Sequence, residues 1–254
     1  MNLKTCSALL FWITLLSQGS PRSEAIKTQS QSIHAEIPED PVLLQVIKPL
    51  AEEIRASFDQ PLVKAPKGLF RGSASEENLL GYWVTDVMRE RSQALLGESV
   101  KFAITNRGGL RANLRAGQLK VGDIYEVMPF ENELVIVELT GAEIKQIILE
   151  TLARRGGEPC SGVSVKVEGT PESPQVTVTW NDGSAIKASE TVKVATTDYL
   201  YDGGDSIPTL KKGRKPFTTG LTLRQVLLDT CQDLDRADKV LSPPPGGRRG
   251  SRSR

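Results

Sequence analysis

The sequence predicts a single α/β domain of the α+β type, with a mixed, partly antiparallel sheet packed by helices. Three observations predict it. Several segments carry apolar residues at helical spacing, short runs of β-branched residues alternate with them along the chain, and turn signals separate the runs. Apolar residues make up 39% of the 254 residues, which is enough for a hydrophobic core.

Four segments have the pattern of helices. Val42–Phe58 carries apolar residues at helical spacing, and the segment through Met88 does the same after Ser73–Glu76, which matches a capping box. Two further helices begin with the same kind of signal, at Thr140–Glu143 and at Thr222–Gln225. These helices are expected to cover the faces of the sheet.

Short apolar runs rich in β-branched residues predict the strands. The predicted strands are Val100–Thr105, Leu134–Leu139, Val163–Val167, Val176–Trp180 and Val192–Thr196. Asn181-Asp182-Gly183 follows one of them and is a strong signal for a hairpin turn.

The two ends of the chain differ from its middle. Lys4, an apolar run over Ser7–Leu16 and the small-residue pattern Ser23–Ala25 predict a signal peptide over residues 1–25. The run is shorter than the roughly 20 residues that a transmembrane helix needs. We therefore expect an exported protein, periplasmic or secreted, with a linker at 26–39, a domain at 40–236 and a disordered Pro/Gly/Arg/Ser tail at 237–254.

Charge and histidine content exclude several classes of function. The chain has 32 basic and 31 acidic residues, so no overall field favours nucleic acid as a specific partner. Its one histidine, His34, lies in the predicted linker, and no Cys-x-x-Cys pair is present. A zinc site or a two-metal phosphatase centre needs several metal-binding side chains that converge, and a Ser-His-Asp triad needs a histidine beside its serine. The expectation is no catalytic residue, metal or cofactor in this chain.

Two cysteines remain after the predicted cleavage site. Cys160 and Cys231 would form a disulfide in an oxidising compartment if their geometry allowed it. Equally, they would serve as two small buried apolar residues. The sequence leaves both interpretations open.

The segment Asn106-Arg107-Gly108-Gly109-Leu110-Arg111 follows a predicted buried strand. Paired glycines at a strand end either turn the chain or let its backbone approach a ligand, and the residues alone favour the turn. Arg111 offers a planar fork of donors for phosphate, carboxylate or hydroxyl groups.

Two further segments carry candidate binding residues. Tyr199 and Asp205 flank a glycine turn after another strand, where an aromatic ring either stacks on a flat base or belongs to the core. Asp205 would hold a ligand or brace its own turn, with bracing favoured. Arg155, at the end of a predicted helix and followed by glycines, fits a helix C-terminus.

Four motifs follow one another between Asn106 and Leu149: N-x-G-G-x-R, G-x-[IL]-x-x-x-D-[IL]-Y, P-F-x-N-x-L and [LM]-T-G-x-[EQ]. Upstream, Glu77–Met88 has the "lgnlvaDam" pattern with Asp86 at the Asp position, and Gly203-Gly204-Asp205 supplies a G-G-D turn. Together these segments resemble the C-terminal domain of 5'-nucleotidases and bacterial UDP-sugar hydrolases. The similarity extends over nearly all of the predicted domain.

The resemblance implies roles for individual residues. Arg111 and Arg155, with Arg154 as the alternative, would contact a nucleotide, and Tyr199 would stack on its base. Asp205 would bind ribose or a neighbouring loop, and Asn132 would be structural. A second stacking ring is expected near Glu158–Cys160, where the sequence has none, so stacking is expected from one side. The implied substrate-binding set is Asn106, Gly108, Gly109, Arg111, Arg155, Tyr199 and Asp205.

The resemblance also implies a division of labour. In the family, a metallophosphatase domain carries two metals and the catalytic residues, and this sequence lacks that domain. We therefore expect the chain to supply nucleotide or nucleoside recognition to a separately encoded metallophosphatase chain in nucleotide catabolism, with no transmembrane segment. The alternatives are a non-catalytic nucleotide-binding envelope protein and a degenerate interaction domain.

Overall fold

The computed structural model describes residues 30, 32, 34, 37–72, 77–170 and 173–245. The predicted signal peptide, the Ser73–Glu76 segment and residues 246–254 of the predicted tail lie outside the described residues. A compact unit begins at Val46. None of the helices in the described part of the chain has the length and apolar character of a membrane span.

The chain alternates between helices and strands, as its periodicity predicts. The helices are α1 (Pro41–Phe58), α2 (Leu79–Leu96), α3 (Val121–Val127), α4 (Gly141–Arg155), α5 (Asp198–Tyr201) and α6 (Leu223–Arg236). The strands are β1 (Pro61–Ala65), β2 (Val100–Ile104), β3 (Gly117–Lys120), β4 (Glu133–Thr140), β5 (Cys160–Ser161), β6 (Val163–Thr170), β7 (Ser173–Trp180), β8 (Thr191–Thr197) and β9 (Arg214–Thr222). Short 3-10 turns lie at Arg107–Gly109, Gly204–Ser206 and Pro208–Lys212.

The central sheet has five strands in the order β5-β2-β8-β4-β9. Strands β2 and β8 run parallel, with Phe102 opposite Val194, and the other neighbours are antiparallel. The sheet is therefore mixed and largely antiparallel, which confirms the predicted fold class. The pairs β1–β3 and β6–β7 form two separate antiparallel ribbons.

Buried residues lie on both faces of the central sheet because successive strand side chains point in opposite directions. In β2, Phe102 and Ile104 belong to one apolar cluster, which also includes residues of α4 and the β6–β7 ribbon. Ala103 belongs to the other cluster, which includes residues of α2, α3 and α6. The sheet is thus the middle layer between two cores, and the loops that could form a site lie at its strand ends.

The helix starts follow the predicted signals at two of three places. Thr140 and Glu143 form the reciprocal capping box of α4, and the Thr222 side chain accepts a hydrogen bond from the Gln225 amide. The third signal, Ser73–Glu76, lies outside the described residues. Helix α2 begins at Leu79, and its N-cap is Asn78, whose Oδ1 accepts a hydrogen bond from the Gly81 amide at 2.7 Å.

The packed part of the chain continues beyond the predicted start of the tail at residue 237. Leu241 is fully buried in the core that includes α6, and its amide donates to the Lys64 carbonyl at 2.8 Å. The buried position of Leu241 was not predicted because the prolines and arginines that follow it give this segment the composition of a disordered tail.

The two cysteines do not form a disulfide with each other. Cys231 is fully buried, and Cys160 is half-buried in the short strand β5. Burial raises the pKa of the Cys231 thiol to about 12, so this thiol is inert at neutral pH. Cys231 is therefore a small buried apolar residue, which is one of the two interpretations that the sequence left open.

Glu143 supplies a pH-dependent contribution to stability. Burial by itself would raise the pKa of Glu143, but hydrogen bonds from Arg214 and from Thr140 outweigh it and lower the pKa. A carboxyl group with a lowered pKa stabilises the folded state above its unfolded pKa, and this contribution is lost as pH falls through the folded pKa. The capping box of α4 should therefore weaken in acid.

We expect Glu143→Gln to lower the free energy of unfolding by about 1 kcal/mol at pH 7, because the charged hydrogen bonds are lost. The difference from the unaltered protein should shrink as pH falls below about 4. Denaturant unfolding followed by circular dichroism at several pH values measures it. Glu53→Gln, at an exposed position of α1, is the control, and an equal loss at pH 3 and pH 7 would refute the prediction.

Candidate functional site

Two loops meet at one edge of the central sheet. Strands β2 and β8 are parallel neighbours, so their carboxyl ends point the same way. The loop after β2 contains Asn106–Arg111, and the segment after β8 contains Tyr199 and Asp205. In open α/β sheets, ligands bind outside the carboxyl ends of the strands. The predicted candidate residues thus converge, apart from Arg155, which comes from α4.

A side-chain hydrogen bond ties the two loops together. Asn106 Nδ2 donates to Asp205 Oδ2 at 2.6 Å, and Asn106 is only 5% exposed. Asp205 has a left-handed backbone, with φ of 50°, which Asp and Asn tolerate better than most residues. Asn106 therefore holds the second loop in place through Asp205.

The glycines at the site are required for close packing. A Cβ on Gly109 would lie 2.8 Å from Asn106 Oδ1, and a Cβ on Gly204 would lie 2.5 Å from the Tyr199 ring. Gly108 and Gly109 form a 3-10 turn, so the turn interpretation of the glycine pair is confirmed. Tyr199 packs against the second glycine turn and stays 44% exposed, so it is not a core aromatic.

Arg111 faces an aromatic ring that the sequence-based candidate set did not include. Its guanidinium carbon lies 5.9 Å from the centre of the Phe130 ring, and its amide donates to the Val127 carbonyl at 2.8 Å. Phe130 is 41% exposed. An exposed phenylalanine beside an arginine suits a ligand site, because both groups stack on flat molecules.

Phe130 and Tyr199 lie close in sequence to the paired ends of two adjacent strands, Phe130 before β4 and Tyr199 after β8. Leu134 of β4 pairs with Thr197 of β8, and the Glu133 amide donates to Asp198 Oδ1 at 3.0 Å. These contacts bring together the segments that carry the two exposed rings. The P-F-x-N motif was the available sequence signal for Phe130, but only the tertiary structure places it beside Arg111.

Arg71 is a second residue that the sequence did not suggest. Its Nη1 donates to the Arg111 carbonyl at 3.1 Å, and its amide donates to Asn113 Oδ1 at 2.9 Å. It lies just before Ser73–Glu76, where no structure is described. Arg71 adds a second guanidinium next to the backbone of Arg111.

The loop after α4 reaches the same turn. Glu158 Oε2 accepts from the Arg107 amide at 2.7 Å, and the Pro159 carbonyl accepts from the Thr105 amide at 3.1 Å. Gly156 ends α4 in a left-handed conformation, as expected for a C-cap. Arg155 is the last residue of α4, and its side chain lies outside what the structure describes; Arg154 is exposed.

A partly apolar pocket lies on the α4 side of the turn. It is lined by residues that include Asn78, Tyr82, Arg107, Leu152 and Glu158, and it does not include the residues around Phe130 and Tyr199. Within the described residues, no three His, Cys, Asp or Glu side chains converge to hold a metal ion. Asn132 was expected to be structural, and its backbone carbonyl accepts a hydrogen bond from the Leu223 amide.

The fold and the site define an α/β domain that presents charged side chains and exposed aromatic rings near the carboxyl ends of two parallel strands. Residues 61–212 match the family described as "5'-nucleotidase, C-terminal domain". The chain belongs to this family, which confirms the resemblance inferred from the motifs.

Sequence relatives and a solved structure agree with this family assignment. The cell wall protein Lmo0130 of Listeria monocytogenes is 29% identical over 68% of this chain and 24% of its own length. The trifunctional nucleotide phosphoesterase protein YfkN of Bacillus subtilis is 31% identical over 52% of this chain and 10% of its own length. A 5'-nucleotidase precursor from Thermus thermophilus superposes with a TM-score of 0.70 at 26% identity, over 85% of this chain and 44% of that chain. The chain thus spans less than half the length of each.

The hydrogen bond between Asn106 and Asp205 gives a direct test of the site's architecture. Asn106→Asp would place two carboxylates at hydrogen-bond distance, where both cannot ionise freely. We expect the variant to lose about 1–3 kcal/mol of stability at pH 7 and to regain most of it near pH 4, when one carboxyl group is protonated.

Asn113→Asp is the matched control, because its Oδ1 accepts a hydrogen bond from the Arg71 amide and a carboxylate can do the same. Thermal unfolding at the two pH values measures both variants. Equal behaviour of the two would mean that Asn106 and Asp205 do not hold the loops together.

Proposed function

We propose that this chain is a nucleotide-recognition domain that supplies substrate binding to a separately encoded metallophosphatase chain. One observation carries the proposal: the Asn106–Asp205 hydrogen bond joins the loops that carry Arg111 and Tyr199, and the Arg111 guanidinium faces the Phe130 ring. Guanidinium groups suit phosphate and ribose oxygens, and exposed rings suit a base. Family membership supports a nucleotide as the proposed ligand.

In this proposal the base lies between Phe130 and Tyr199. Both rings are exposed and neither is a core residue, and their segments are joined by the β4–β8 pairing. The sequence led us to expect the second ring near Glu158–Cys160 and hence stacking from one side. Phe130 offers that ring from a different loop, so stacking from both sides becomes possible.

The polar part of the ligand would meet the charged residues. Arg111 is proposed to bind phosphate or ribose oxygens, with Arg155 at the end of α4 as a second donor. A carboxylate has about four acceptor sites, so Asp205 can bind Asn106 and a ribose hydroxyl at the same time. Gly108 and Gly109 keep side chains away from the approach to Arg111, whose Nη1 donates to the Gly108 carbonyl.

The chemical step is assigned to another chain. Two divalent cations need several His, Asp or Asn ligands, whereas this site offers guanidinium groups, rings and a carboxylate bound to Asn106. The donor set does not fit a two-metal centre, so we propose no metal or other cofactor in this chain. Its residues bind and orient the substrate, and the partner breaks the ester bond.

The surface of α1 supports a macromolecular partner. No residue of this helix is buried, and its apolar side chains are exposed, among them Val46, Ile47, Leu50 and Ile54. Exposed apolar stripes of this kind mark interaction surfaces. We further propose export to the periplasm or the exterior, in line with the signal-like N-terminus and with a relative named as a cell wall protein.

Binding can be tested without any partner. Calorimetry of the purified chain with AMP and with a UDP-sugar should give a measurable Kd, and Arg111→Ala should abolish binding. Phe130→Ala and Tyr199→Ala should each weaken binding about tenfold, because stacking contributes roughly 1–3 kcal/mol per base. Phe217→Ala removes an equally exposed ring from β9 and should have no effect; unchanged affinity in both site variants would refute the stacking model.

The division of labour has its own test. The purified chain should show no metal-dependent phosphatase activity towards AMP, and should gain it when a cognate metallophosphatase is added with Mn²⁺. The Arg111→Ala chain should fail to support this activity. Turnover by the isolated chain would contradict the proposal, and ligand binding without stimulation of any partner would leave a binding protein in its place.

A further inference from the structure

The loop that carries Phe130 connects α3 to β4 and is held by the first residues of α6. Arg224 Nη1 donates to the Met128 carbonyl at 3.1 Å and to the Phe130 carbonyl at 3.4 Å. The Leu223 amide donates to the Asn132 carbonyl at 2.8 Å. Three carbonyls in the loop around Phe130 therefore accept from two neighbouring residues of one helix.

Arg224 is itself fixed in place. It is only 8% exposed, and its guanidinium carbon lies 4.4 Å from the centre of the Tyr125 ring. It also pairs with Glu131, whose side chain is 71% exposed, so the buried guanidinium meets a carboxylate that stays in contact with solvent. The guanidinium is held by its contacts with the two carbonyls and the ring. The hydrogen bond to Met128 is buried, and the one to Phe130 is partly buried.

The chemistry of the side chain suits this position. A guanidinium group is planar, carries five donors and stacks on an aromatic face, so it can bind carbonyls along its edge and Tyr125 with its face at once. A lysine ammonium would reach one carbonyl but would lose the stacking. From a different loop, the one after β2, the Arg111 amide donates to the Val127 carbonyl, and the Arg111 guanidinium faces the Phe130 ring.

We propose that Arg224 is a positioning residue that holds the Phe130 ring in place beside Arg111 for ligand stacking. The ligand role of Phe130 rests on the proposed function, whereas the positioning itself does not. Arg224 does not touch the ligand in this arrangement. It fixes the loop backbone, so that the ring is ordered before the ligand arrives and binding does not have to order it.

A fluorine spectrum tests the positioning without any ligand. The full chain is labelled with 4-fluorophenylalanine, and the Phe130 resonance is assigned by its loss in Phe130→Leu. In Arg224→Gln we expect this resonance to narrow and to move towards the position of the free amino acid. Glu126→Ala, which removes an exposed carboxylate of α3, should leave it unchanged.

The same spectrum reports folding through the fully buried Phe102. If the Phe102 resonance shows that Arg224→Gln is unfolded, Arg224→Lys is used instead, and an intermediate change at Phe130 is expected. An unchanged Phe130 resonance in the folded variant overturns the proposal.

A double-mutant cycle then connects the position of the ring to binding. Arg224→Gln should weaken AMP binding about tenfold in the unaltered chain, the loss expected when one stacking contact is removed. In the Phe130→Ala background it should cause no further loss. Equal losses in both backgrounds would mean that Arg224 acts on stability alone. If the unaltered chain binds no nucleotide, the proposed function fails, and the fluorine result still decides the positioning.

Discussion

The hydrogen bond between Asn106 and Asp205 is the constraint on which the rest of the site depends. It joins two loops that are 99 positions apart in the chain and that leave parallel neighbours of the sheet. Because Asn106 is buried, its amide has little access to water, and the bond is strengthened by the carboxylate charge. Fixing Asp205 also fixes the glycine turn before it, and Tyr199 packs on that turn.

The sequence predicted those elements whose local signal and tertiary environment agree. Helix α4 and strand β4 are examples. The capping box at Thr140 marks the start of α4, and the apolar residues that predict both elements are buried in the core. Strand β9 (Arg214–Thr222) was missed because it is an edge strand whose residues are largely exposed, so no apolar alternation marks it. Strands β1 and β3 pair only with each other, across a long stretch of chain, and neither is long enough to show a period.

The site was predictable in the same measure. Asn106, Gly108, Gly109 and Asp205 became candidates through the motifs that they belong to, and the structure places them in two loops joined by a hydrogen bond. Phe130 was not, since its position beside Arg111 is set by the register of β4 against β8 and by bonds from α6. Arg224 did leave a signal: an arginine in the first turn of a helix opposes the helix dipole, and such a residue needs a compensating partner. That partner is a pair of carbonyls from another loop.

The bonds that order the candidate binding face all lie within this chain. Asn106 holds Asp205, Arg224 holds the backbone at Phe130, and the Arg111 amide holds Val127. A face that is ordered in this way loses little entropy when a ligand binds, so the available binding energy is not spent on ordering loops. In the proposed function this separates two tasks: the chain's own contacts order the loops that would bind the substrate, and the partner would bring its metals to it.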